Sequence, residues 1–83
     1  MIARKVRVLP KLPVVSGGDA VKVFKKVGWA FDRQKGSHAI LKKPGSKLVL
    51  SIPLHDELDR GLLRHLIRVA GMTVDEFCDL LGR

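Results

Sequence analysis

Apolar side chains at Ala20, Val23, Phe24 and Val27 recur at i, i+3, i+4 and i+7, the period of one helical face. Ser16 stands where an N-cap belongs, with Asp19 three residues on, and Gly28 supplies the left-handed residue that closes a helix. The spacing therefore predicts a first helix from Gly17 to Val27. Lys22, Lys25 and Lys26 fall largely off its apolar stripe, which gives the helix a cationic outer face. The period then changes from 3.6 to 2. Trp29 to Gln34 alternates large apolar with small or polar side chains and runs into Lys35-Gly36, a strand entering a turn. Ser37 to Lys42 reads as a second strand, and Lys43-Pro44-Gly45-Ser46 as a second turn. Leu48, Leu50 and Ile52 alternate with Val49 and Ser51 in a third strand, whose pairing Pro53 should stop. Connections this short permit only hairpins, so the three strands should form an antiparallel meander.

From Asp59 onward, Leu62, Leu63, Leu66, Ile67 and Ala70 share one helical face, Arg64, His65 and Arg68 lie opposite, and Gly71 ends the element. Thr73 to Glu76 matches a capping box, and Val74, Phe77, Cys78 and Leu81 make the stripe of a short last helix. A three-stranded sheet must cover one face, and the helices are the available cover. The expected fold class is therefore α+β: a two-layer, three-stranded antiparallel sheet with helices on one face and the other face open. The order is α-β-β-β-α plus a short C-terminal helix. Phe24, Trp29 and Phe31 are read as core aromatics, and Cys78 as a core residue.

At 83 residues and 46% hydrophobic, the chain can build one core and not two. Residues 12–82 are taken as the folded unit, with 1–11 a basic lead-in, together a single domain. Apolar runs such as Ala39-Ile40-Leu41 fall far short of the ~20 residues that cross a membrane. The N-terminus shows no apolar centre or cleavage site of a secretory signal, and a single cysteine cannot form an internal disulfide. A cytoplasmic protein is expected. No His/Cys grouping has zinc-ligand spacing, so no metal and no cofactor are expected. The net charge is +8, unevenly placed: residues 1–48 hold twelve basic and two acidic side chains, and residues 49–83 four and six. A basic half points to a polyanion, most simply a nucleic acid.

Lys35-Gly36-Ser37-His38 puts an imidazole at the start of a strand, just after a turn, in the most basic part of the chain. Histidine is the side chain best suited to moving protons near neutral pH. RNA cleavage through its own 2′-hydroxyl asks for a base, an acid and cations at the phosphate, with no metal and no protein nucleophile. His38 is the candidate for general acid/base work. Ser37 would hold a phosphate oxygen, Arg33, Lys35 and Lys42 would supply charge, and Lys22, Lys25 and Lys26 would extend the RNA-binding surface. The plainer alternative is that Gly36 only forms the turn and His38 is an ordinary half-buried strand residue. Parity bears on the choice: if Ala39 and Leu41 point to the helices, His38 lies on the open face, whereas an inward Ile40 would bury it unless Gly36 makes a bulge. His55, in Pro53-Leu54-His55-Asp56, could approach the same site or order the connection to the next helix; the ordering role is the reading adopted. His65 is read as a solvated residue. Ser16-Gly17-Gly18 lacks the rest of a phosphate-loop pattern, and capping already explains it.

Ser16-Gly17, Gly28-Trp29, Arg33-Gln34-Lys35-Gly36-Ser37-His38, Ile52-Pro53-Leu54-His55, Gly61-Leu62-Leu63-Arg64, Ala70-Gly71-Met72-Thr73 and Phe77 follow one another in an order and spacing that resemble the HicA (YcfA-like) toxin family of prokaryotic toxin–antitoxin pairs. The resemblance covers roughly residues 9–82. It implies a double-stranded-RNA-binding-domain-like fold, activity as an mRNA-cleaving endoribonuclease that blocks translation, and a HicB-type antitoxin as partner. It also implies that the histidine of the Gly-Ser-His motif, here His38, is catalytic. Leu62 departs from the threonine the family often carries after the glycine of the second helix. Two other classes of function fit the same charge: a non-catalytic RNA-binding module, and a domain that binds only an acidic protein.

Overall fold

The Ser16 hydroxyl accepts the Asp19 N–H at 3.0 Å while the Asp19 carboxylate accepts the Ser16 N–H at 3.5 Å, so the first helix begins with two of its orphan donors satisfied. The computed structural model of the chain describes residues 12–82, and the basic lead-in, residues 1–11, lies outside the described residues. Helix α1 spans Gly17–Lys26 and stops one residue short of expectation, because Val27 has left the helical region and Gly28 turns the chain at φ +100°. Strands β1 (Ala30–Lys35), β2 (His38–Lys42) and β3 (Val49–Pro53) follow, then helices α2 (Arg60–Val69) and α3 (Val74–Leu81). Asp59 caps α2 through the Leu62 N–H, and the Thr73/Glu76 box starts α3.

The strands form one open antiparallel sheet in the order β1-β2-β3, the expected meander. Their ends differ from the sequence pattern by a residue or so. Pro53, expected to stop the pairing, instead sits opposite His38 as the last residue of β3. The Leu54 N–H points inward to the Ser37 carbonyl at 2.7 Å, so alternation aims the Pro53 nitrogen outward, where an edge strand needs no donor.

One face of the sheet contributes Leu41, Leu50 and Ile52 to a core completed by Val23, Phe24, Leu63, Leu66, Ile67 and Phe77. The rings of Phe24 and Phe77 lie 5.5 Å apart at a 50° tilt and join α1 to α3. The helices thus cover one face and leave the other open, the α+β arrangement the sequence pattern predicts. Phe31 corrects one expectation. It lies on the helix-facing side, opposite Leu41, yet remains 48% exposed, because β1 is an edge strand at the margin of the helical cover. Trp29 is buried as expected, with the Lys43 ammonium 5.8 Å from its ring centroid.

The start of α1 is seated directly on the end of β3. The Gly17 N–H donates to the His55 carbonyl at 2.9 Å, and a Cβ at Gly17 would stand only 2.0 Å from the Pro53 carbonyl oxygen. Gly17→Ala is therefore expected to force these backbones apart and cost about 1–3 kcal/mol, the usual range for overpacking. Thermal unfolding would register this as a fall of ~4–8 °C per kcal/mol in a domain of this size. An unchanged midpoint would mean that the helix start has room to shift.

Candidate functional site

A turn of two residues, Gly36 and Ser37, joins β1 to β2, with Gly36 at φ +60° in the first central position, where type II′ hairpins require glycine. The Gln34 side-chain amide donates to the Gly36 carbonyl at 3.0 Å and braces the turn. So tight a connection sets Lys35 directly across from His38. Residues opposite one another in a sheet share a face with Cβ atoms ~4.5–5.5 Å apart. Lys35, His38 and Pro53 accordingly form one row, Arg33, Ile40 and Ser51 the next, and Ala30, Lys42 and Val49 the third. Leu41, Leu50 and Ile52 belong to the core on the helical side, so the register puts these rows on the other face, where Ile40 is only 8% exposed and His38 is partly exposed.

Alternation along β1 does not account for this arrangement. The register with β2 slips at Asp32, between Phe31 and Arg33. The bulge reverses the parity of the residues beyond it. Phe31 faces the helices, whereas Arg33 and Lys35, which strict alternation would place beside Phe31, reach the open face beside His38. Asp32 itself, which sequence reasoning did not single out, holds two of the candidate cations. Its carboxylate lies 2.5 Å from the Arg33 guanidinium and 3.8 Å from the Lys42 ammonium. Its neighbours, a glycine-free strand of alternating type, carry no signal for a bulge. The pairs are about half exposed and add little stability, but they lower the net charge of the middle of the face. Lys35 makes no ion pair with any described residue, and the partly exposed His38 imidazole makes no hydrogen bond with one. Ser37 is exposed, and its backbone carbonyl is held by the Leu54 N–H.

The structure does not bring the other predicted cations to this face. Lys22, Lys25 and Lys26 lie on the helical layer, where they line a shallow cleft with Leu80 and Leu81 of α3. The Lys26 ammonium donates to the Leu80 carbonyl at 2.8 Å, among the orphan carbonyls that end α3. His55 is exposed, and its ordering contact is made by the backbone carbonyl that accepts from Gly17, not by the imidazole. His65 is exposed on α2, as expected. Cys78, expected in the core, is partly buried against it, and that burial, helped by the Asp75 and Asp79 carboxylates, pushes its thiol up. Among the described residues no group of three or more His, Cys, Asp or Glu side chains is gathered so as to hold a metal ion. No helix among them is long and apolar enough to cross a membrane.

A three-stranded meander backed by helices, with a basic hairpin and a part-exposed histidine on its uncovered side, defines a small α+β domain of the double-stranded-RNA-binding-domain-like class. A family model described as the HicA toxin of bacterial toxin–antitoxin systems matches residues 17–72, which is more than half of the chain and includes all three strands. The chain belongs to the HicA toxin family, and membership implies an antitoxin partner. No curated protein matches the sequence.

Proposed function

We propose that this chain is an endoribonuclease toxin that binds and cleaves mRNA in the cytoplasm to inhibit translation, with His38 as general acid/base and without a metal ion. The observation that carries this reading is the pairing of Lys35 with His38 on the open face: a cation with no partner among the described residues beside an accessible imidazole. A phosphate laid over this pair would meet a positive charge able to stabilise the dianionic phosphorane as it forms, and a group able to move a proton. Ser37 would orient a phosphate oxygen from the turn, and Arg33 and Lys42 would meet flanking phosphates further across the sheet, sharing their charge with Asp32. An acidic HicB-type antitoxin covering Arg33 to His38 and reaching α1 would exclude RNA and screen His38 together, which makes this face the economical one to block.

The direct test is cleavage of a defined mRNA by the purified chain. Activity is expected to persist in excess EDTA, since no assembled ligand set among the described residues supports a metal. Loss in EDTA with recovery in Mg²⁺ or Mn²⁺ would overturn the metal-free mechanism. Binding without any cleavage would favour the alternative, a non-catalytic RNA-binding module, which the same basic face serves equally well.

The salt dependence of binding maps the RNA path. For single strands each phosphate contact contributes about −0.7 to the slope of log K against log salt. Replacing Arg33, Lys35 and Lys42 together by Gln is expected to flatten the slope by about 2. The same change at Lys22, Lys25 and Lys26 should flatten it less, because these lysines lie on the helical layer, on the side of the sheet away from His38. A loss confined to the α1 substitutions would move the RNA onto the helical layer.

A further inference from the structure

Cleavage of RNA through its own 2′-hydroxyl requires two proton transfers on opposite sides of phosphorus. A base removes the 2′ proton, and an acid supplies one to the departing 5′ oxygen. His38 can serve one side, and the ribonuclease reading leaves the other unassigned. The chain has no tyrosine, and its histidines are the side chains whose ordinary titration falls near neutral pH. Among the described residues these are His38, His55 and His65. His65 lies on α2, which packs in the helical layer against β3 and α3, away from the open face.

His55, by contrast, is carried to the His38 end of the sheet by three backbone links. Pro53 sits directly opposite His38, the Leu54 N–H donates to the Ser37 carbonyl at 2.7 Å, and the Gly17 N–H donates to the His55 carbonyl at 2.9 Å. The missing Cβ at Gly17 lets the start of α1 close onto the Pro53–Leu54 peptide from behind. Residues 53–55 are thus clamped between the hairpin turn that bears Ser37 and the first turn of α1. The backbone does the ordering, and the exposed imidazole makes no hydrogen bond or ion pair with a described residue, so it has no structural role to fill. A proton-transfer group on a fixed backbone, at the same end of the sheet as a second one, is what preorganised acid–base catalysis asks for.

We propose that His55 is the second proton-transfer group of the site, acting with His38 on a phosphodiester held at Lys35; the proposal rests on the ribonuclease reading. One imidazole accepts the 2′-hydroxyl proton as the 2′ oxygen forms a bond to phosphorus. The bond from phosphorus to the 5′ oxygen breaks, its electron pair stays on that oxygen, and the other imidazole, protonated, supplies the proton. The products are a 2′,3′-cyclic phosphate and a 5′-hydroxyl. The two histidines end with their protonation exchanged and are reset through water, so no oxidant, reductant or metal enters the balance.

The test uses the full chain and two oligoribonucleotides with one cleavable linkage, identical except that in one the bridging 5′ oxygen is sulfur, which leaves as a thiolate without needing a proton. His38→Ala and His55→Ala are each expected to slow cleavage of the oxygen substrate by about 10²–10⁴-fold. On the sulfur substrate one of the two variants, the one lacking the acid, should recover to near the wild-type rate while the other stays slow. His55→Gln, with its thermal midpoint measured alongside, repeats the result in a side chain that preserves polarity and size. Wild-type rates for the folded His55 variants on the oxygen substrate would overturn the proposal, as would recovery of neither variant or of both. An inactive wild-type chain would instead overturn the ribonuclease reading, and this assignment with it.

Discussion

Replacing His38 by alanine should reduce RNA cleavage by about 10²–10⁴-fold, the range a positioned proton-transfer group contributes, and abolish toxicity. The fold should survive, because His38 lies on the uncovered side of β2 while the neighbours that build the core, Ala39 and Leu41, face the other way. A surface change of this kind usually moves stability by no more than ~0.5 kcal/mol. RNA binding should also survive, since Arg33, Lys35 and Lys42 remain on the face. Cleavage rate, thermal midpoint and binding slope, measured on the same preparation, separate these effects. A folded variant that cleaves at near the wild-type rate would remove His38 from the mechanism.

Phe77→Ala should be a severely damaging truncation in the helical layer, costing about 3–5 kcal/mol. Phe77 is fully buried and its ring packs against Phe24 of α1, so the deletion opens a void between α3 and the centre of the core. Domains of this size hold only ~5–15 kcal/mol in total, and the thermal midpoint should fall by roughly 12–40 °C. The prediction matters because α3 lies beyond residues 17–72, the segment the family shares, and so could be mistaken for an appendage. Chemical denaturation gives the measurement. A loss below ~1 kcal/mol would show that the void collapses without consequence for α1 and the sheet.

The features legible in the sequence are those settled within a few residues. Ser16 with Asp19, and Thr73 with Glu76, cap helices because each side chain bonds a backbone group three positions away, and that geometry is encoded locally. Gly36 marks the hairpin because a positive φ is a property of one residue. The apolar periods of α1, α2 and the strands identify the buried faces, and with them the α+β class and the candidate role of His38. The features that tertiary structure decided depend on partners distant along the chain. Nothing local distinguishes a regular β1 from one bulged at Asp32. The bulge exists only as a register with β2, and it alone brings Arg33 and Lys35 to the face of His38. Phe31 has the composition of a core residue, but its exposure comes from where the helices end above an edge strand. The lysines of α1 and those of the sheet look like one basic patch in sequence, and the packing of α1 on the opposite side of the sheet separates them. His55 acquires a fixed position from the pairing of Pro53 with His38, the bond from Leu54 to Ser37, and Gly17, some forty residues earlier, which lets a helix close against it. Local propensity thus determined the elements and their chemistry, and the long-range pairing of strands and the seating of α1 determined which of those groups meet.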